Sequence, residues 1–142
     1  MSYGPFVVDA SLTLSWAFDG EATPFTKSVA RSLQTVHAET QSLWPFEVAN
    51  GLAIAERRGR ITPGGLAEFL EWLRVAPIRV EQRPASWLLQ SILPLVRVHR
   101  LSAYDAAYLD LAMRDGLPLA TLDGDLRAAA RAVGVPVLTE EG

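Results

Sequence analysis

Short apolar runs alternate along this chain with longer segments whose apolar residues recur at helical spacing. Phe6-Val7-Val8 closes on Asp9 and reads as a buried strand. Ser11 to Phe18 predicts a helical turn or two, broken at Asp19-Gly20. Thr23-Pro24 opens a helix predicted to run to about His37, since a hydroxyl followed by proline is a helix start. Gln41-Ser42-Leu43-Trp44 is a second strand candidate, stopped by Pro45, which suits the first position of a helix. That helix carries Phe46, Val48, Ala49, Leu52, Ala53 and Ala55 and is expected to end near Gly59. Thr62-Pro63 opens another through Leu66, Phe69, Leu70 and Leu73. Pro77 to Val80 is a third strand candidate. Ala85 to about Arg97 is helical in pattern, with Pro94 placed to kink or end it. Ser102 to Arg114 predicts a strong helix, and Leu117 to Leu122 a strand ending at Asp123. Asp125 to Val133 predicts an Ala/Arg helix closed by Gly134, and Val135 to Leu138 a last strand.

Strands that alternate with helices, and are apolar without clear period-two alternation, predict a parallel sheet covered on both faces. The expected fold is α/β, a three-layer sandwich whose central sheet has four to five strands. At 142 residues the chain fits a single domain, 1–142, and a hydrophobic fraction of 49% supplies a core. The absence of cysteine excludes disulfides, a thiolate zinc site and a cysteine nucleophile. Two histidines, His37 and His99, argue against a multi-histidine metal site, and they read as surface or structural residues. A net charge of -3 argues against a purely electrostatic nucleic-acid binder but leaves room for a metal-dependent one. Residues 1–5 carry no basic stretch, and no apolar run approaches the ~18 residues of a membrane span. A soluble cytoplasmic protein is expected, with no membrane partner.

The position of the acids matters more than their sum. Ligands of open α/β sheets sit at the carboxyl ends of strands. Asp9 directly follows the first predicted strand and Asp123 the fourth, while Glu47 and Asp105 lie in the first turns of two helices. All four are predicted to converge on one sheet edge. Each also has a plainer reading. Ser102 with Asp105 resembles a capping box, Asp9 and Asp123 suit helix N-caps, and Glu47 complements a helix dipole. Gathering four carboxylates is costly, because like charges raise one another's pKa. A hard divalent cation removes that cost, which points to Mg²⁺, or Mn²⁺, rather than zinc. Ser11 is placed to bond a carboxylate or a phosphate, or to cap a helix. Asn50 shares a helical face with Glu47, and Thr121 is predicted to share a strand side with Asp123. Tyr104 and Tyr108 flank Asp105 and read as core.

Four segments together resemble the PIN-domain ribonucleases, most closely the VapC toxins of toxin–antitoxin pairs. They are Val8-Asp9-Ala10-Ser11, Glu47-Val48-Ala49-Asn50, Ser102 to Tyr108, and Thr121-Leu122-Asp123-Gly124-Asp125-Leu126. Each is weak alone; their order and intervals make the signal specific, and residues 60 to 100 match only in helical character. The resemblance implies a PIN-like sandwich with one acidic pocket. Asp9, Glu47, Asp105 and Asp123 would be its catalytic and metal-binding residues, with Ser11, Asn50 and Thr121 in support. Asp125 either shares the last acidic role with Asp123 or caps the following helix. A metal-dependent endoribonuclease is implied, the toxin of a VapBC-type pair, inhibiting translation and growth. Its partners would be an RNA substrate, a VapB-like antitoxin that blocks the pocket, and a second copy in a homodimer. Hydrolysis of RNA by metal-assisted in-line attack should leave a 5′-phosphate and a 3′-hydroxyl.

Arg57, Arg58 and Arg60, near the end of the Glu47 helix, and Arg97 and Arg100, before the Asp105 helix, are the candidate phosphate contacts. Both groups also read as solvated faces. Trp16, Phe18, Leu33, Leu52, Leu70 and Trp72 read mostly as core, with a share left for a partner surface. A catalytically silent PIN scaffold acting through protein partners is the alternative; degenerate members lose acids, and this chain keeps all four. Without those four, 12 acids face 13 bases, so the rest of the chain is formally +1.

Overall fold

A computed structural model describes residues 3–140. Four strands, β1 (Phe6–Val8), β2 (Ala38–Thr40), β3 (Ile78–Val80) and β4 (Leu119–Ala120), form one parallel sheet in the order β3-β2-β1-β4. Phe6 pairs with Ala38, Val7 with Leu119, and Ala38 with Ile78. The chain runs outward from β1 to β3 and then returns to the other side of β1. The switch point of this sheet therefore lies between β1 and β4, at the carboxyl ends of both.

Seven α-helices cover the sheet among the described residues: α1 (Ala10–Ser15), α2 (Pro24–Ser32), α3 (Trp44–Arg57), α4 (Pro63–Val75), α5 (Ala85–His99), α6 (Ala103–Asp115) and α7 (Gly124–Ala132). Alternation within β1 decides which residues face which layer. Val7 packs with Trp44, Val48 and Leu52 of α3 and with Tyr108 and Leu109 of α6. Phe6 and Val8 face the other way, onto Leu12, Phe25, Val29 and Leu33. Both faces of β1 are buried, so this central strand has no polar side to produce alternation in sequence.

Helix starts follow the local chemistry. Thr23 and Thr62 cap α2 and α4, each followed by proline at the first helical position, and Ser102 caps α6. Gly51 lets α1 approach α3 closely, since a Cβ there would stand 2.5 Å from Leu14 Cδ1.

Several expected boundaries are corrected. The second strand is Ala38–Thr40, not Gln41 to Trp44; residues 42 and 43 form a turn, and Trp44 already begins α3, because its indole packs inward and donates to Thr13 Oγ1 at 3.0 Å. Helix α2 ends at Ser32 rather than near His37, giving way to a turn that feeds β2. Pro94 stays inside α5 without ending it. The strand expected over Leu117 to Leu122 is confined to Leu119–Ala120, so Thr121 and Asp123 leave the sheet as a loop. The last expected strand is reduced to a single bridge between Leu119 and Val137.

Candidate active site

Asp9 sits immediately past β1, 2% exposed, and is the N-cap of α1. Its Oδ1 accepts the Leu12 amide at 3.0 Å, and the Ser11 hydroxyl reaches both of its oxygens, at 2.8 and 2.9 Å. The Thr121 hydroxyl, arriving from the end of β4, donates to Oδ2. Thr121 Oγ1 also accepts the Asp123 amide at 3.0 Å, and Ser11 Oγ accepts the Leu122 amide at 3.0 Å. Ser11 and Thr121 thus stitch the β1 and β4 ends together across the switch point. Burial still outweighs these donors and pushes the Asp9 carboxyl up to about 6.

Asp105 lies in the first turn of α6. Ser102 Oγ accepts its amide at 3.1 Å, but the Asp105 carboxylate makes no hydrogen bond among the described residues. The reciprocal half of a capping box is absent, and the carboxylate is left facing the other acids. Burial first, then the charges of Asp123, Glu47 and Asp125, raise it to about 6. Asp123 caps α7 through Leu126 N at 2.9 Å. The capping role therefore falls to Asp123, and Asp125 stands exposed in the first turn of α7, close enough to act on Asp105 by charge.

Glu47, in the first turn of α3, has one oxygen occupied twice. Oε1 accepts from the Tyr108 hydroxyl at 2.8 Å and from Gln41 Nε2 at 2.9 Å. Burial raises its carboxyl, and these two donors pull it back. Sequence reasoning missed both partners. Tyr108 reads as core and is indeed 1% exposed, yet its hydroxyl also receives the Ala10 amide at 3.2 Å. Gln41 was hidden inside a presumed strand; a fully buried Gln directly after a strand is the signal that could have found it.

The remaining candidates divide. Asn50 is exposed and makes no hydrogen bond among the described residues, so it is not brought onto Glu47. Arg57 lies ten residues along α3 from Glu47, about 15 Å of helix. Arg58 follows it, and Arg60 turns away to pair with Glu21 and lie over the Phe18 ring at 4.8 Å. Arg97 and Arg100 instead close the α5–α6 junction; Arg100 precedes the Ser102 cap by two residues and is exposed. Arg127, unmarked by sequence, sends Nε to the Thr121 carbonyl at 2.9 Å. His37 contacts Glu39 at 3.3 Å and none of these acids.

Charge pairing sets these acids apart. Glu81, Asp110 and Asp115 all pair with Arg83 or Arg114, and Glu21 and Glu71 each have an arginine. Among the described residues, none of Asp9, Glu47, Asp105 or Asp123 has a basic partner. No group of three or more carboxylates or imidazoles among the described residues is clustered tightly enough to hold a metal ion as it stands. The donor set itself fits a hard divalent cation: carboxylate oxygens, uncompensated charge, and no sulfur or imidazole.

A doubly wound parallel sheet with unpaired acids at its switch point defines a three-layer sandwich of the PIN type. No protein-family model matches the chain. Over 130 residues it is 30% identical to the ribonuclease VapC3 of Pyrobaculum aerophilum, spanning 92% of this chain and 98% of that protein. Its fold matches that of PAE2754 from Pyrobaculum aerophilum, with a TM-score of 0.67 and 23% identity over 89% of this chain and 84% of that one. It also matches VapC20 of Mycobacterium tuberculosis, a Sarcin-Ricin loop cleaving toxin, with a TM-score of 0.61 and 21% identity over 87% and 94% of the two chains. The chain belongs to the VapC-like family of PIN-domain ribonucleases.

Proposed function

We propose that this protein is a metal-dependent endoribonuclease, the toxin of a VapBC-type pair, acting as a single domain on RNA to arrest translation and growth. One observation carries the reading: four acids at the switch point have no basic partner, in a chain whose other buried carboxylates are paired. Asp9, Glu47, Asp105 and Asp123 would hold Mg²⁺ or Mn²⁺. Bound there, the cation supplies charge neutralisation for the phosphodiester and a lowered pKa for the attacking water.

The chain's own residues do the placing. Ser11, Thr121 and the Leu12 amide fix both oxygens of Asp9. Tyr108 and Gln41 fix Glu47. Asp105 comes from the first turn of α6 and Asp123 from the cap of α7. Arg97, in the last turn of α5, and Arg100, its C-cap, lie closer along the chain to Asp105 than Arg57, Arg58 and Arg60 lie to Glu47, which favours them as the phosphate contacts. Exposed Phe46, Tyr104 and Leu122 each adjoin one of the acids in sequence and offer apolar surface to an unstacked base. A VapB-like antitoxin, a homodimer and a cytoplasmic setting complete the proposal. No helix among the described residues is long and apolar enough to cross a membrane.

Purified protein incubated with structured and unstructured RNAs tests it. Cleavage should require Mg²⁺, stop with EDTA and vanish in Asp9→Asn. Cleavage that survives Asp9→Asn, or no cleavage of any RNA class, defeats the proposal.

A further inference from the structure

The Tyr108 hydroxyl joins three elements that each deliver an acid. It donates to Glu47 Oε1 of α3 at 2.8 Å, accepts the Ala10 amide next to Asp9 at 3.2 Å, and belongs to α6, one turn past Asp105. The phenol ring is 1% exposed, so the hydroxyl cannot swing to another partner. Gln41, also 1% exposed, meets the same Glu47 oxygen from the end of β2. Its own carbonyl oxygen is fixed by the Leu43 amide at 2.6 Å, which dictates that the amide nitrogen faces Glu47. Both donors land on Oε1, and no hydrogen bond among the described residues occupies Oε2.

We infer that Tyr108 and Gln41 are positioning residues: they clamp Oε1 of Glu47 and present Oε2 alone to the cation. The inference rests on the metal-dependent reading proposed above. A half-buried carboxylate with one oxygen held by two donors is turned in one direction only. Its other oxygen is then pre-aimed, so cation binding does not have to order it. Partners behind a ligand typically change metal affinity about 10- to 100-fold.

The test is Mn²⁺ binding to the full chain by calorimetry, for wild type, Tyr108→Phe, Glu47→Ala and the double variant. Tyr108→Phe keeps the ring and removes only the hydroxyl. It should weaken Mn²⁺ binding about tenfold or more and raise the Mg²⁺ needed for half-maximal RNA cleavage by the same factor. The rate at saturating metal should stay within about twofold, a split that general loosening of the core does not produce. In the Glu47→Ala background, Tyr108→Phe should have no further effect on Mn²⁺ affinity, because its route to the metal is gone. Gln41→Met gives a second, independent arm with the same expectation. Unchanged Mn²⁺ affinity in Tyr108→Phe and Gln41→Met, in a wild type that binds Mn²⁺ and cuts RNA, removes the clamp and leaves the nuclease reading standing. So does an effect that persists without Glu47. A wild type that binds no Mn²⁺ removes both.

Discussion

Asp9 carries two roles that one substitution separates. It caps α1 through Leu12 N, and it is a buried carboxyl whose ionisation is opposed by desolvation. Asn caps as well as Asp, so Asp9→Asn keeps the first role and discards the second. With EDTA present, the variant should be at least as stable as wild type at pH 7, although it no longer cleaves RNA. The pH dependence has a definite sign. The folded carboxyl titrates at about 6 and the unfolded one at about 4, so ionisation opposes folding. Wild type therefore loses more stability than Asp9→Asn as pH rises from about 4 to about 6, since the variant keeps only the other raised carboxyls, Asp105 and Asp110 among them. The gap between them should open across that window and reach up to about 3 kcal/mol above it. Thermal unfolding of both proteins along a pH series reads this directly; a gap that closes with rising pH contradicts the assignment.

Helix α6 is anchored at its far end by a different kind of charge cluster. Arg114 bonds Glu81 at 2.6 Å and Asp110 at 2.8 Å, while Arg83 reaches Asp115 at 3.1 Å, and both guanidinium groups lie over the Trp87 ring. This ties the segment after β3 to the helix that bears Asp105. The Glu81 and Asp110 side chains are nearly inaccessible; Arg114→Ala strands the Asp110 carboxylate and leaves Glu81 only the longer Arg83 contact at 3.4 Å, and should cost about 3 kcal/mol in chemical denaturation. Arg74→Ala, which frees only an exposed i,i+3 pair, should leave the midpoint where it was; equal effects would mean the α6 pairs carry no weight. The helices were readable in advance because caps and proline starts are local chemistry: Thr23-Pro24, Thr62-Pro63 and Ser102 all begin helices where the sequence places them. Strands of two or three residues were not, since their bounds are set by pairing partners far away. Ala38-Glu39-Thr40 contains a charge and looks unlike a strand, but it fills the gap between β1 and β3; apolar Leu43-Trp44 looks like one and opens a helix. The acids were visible by type and by their place after runs and caps. The Tyr108–Glu47 contact spans 61 residues and leaves no local trace.

Taken over the full surface, the charge is divided rather than simply acidic. The chain's net charge is -3, yet the basic residues outnumber the acids by one once Asp9, Glu47, Asp105 and Asp123 are set aside. In the proposed reading those four are the groups that a phosphodiester approaches, and no arginine among the described residues forms an ion pair with them. In the absence of divalent cations the pocket should repel RNA while the flanks attract it. Removing one pocket charge by Asp105→Asn should then tighten RNA binding in EDTA, by about threefold for a single charge a few ångströms from a phosphate in high dielectric. Arg100→Ala should act in the opposite sense, and both effects should shrink as salt rises and screening takes over. Fluorescence anisotropy with a labelled single-stranded RNA measures all three proteins under conditions where none can cut. If Asp105→Asn binds no better than wild type at low salt, the pocket does not lie on the path of the RNA, and the charge division has some other cause. If it binds better but does not cleave when Mg²⁺ is restored, the same carboxylate that repels the phosphate in isolation is the one that makes its hydrolysis possible.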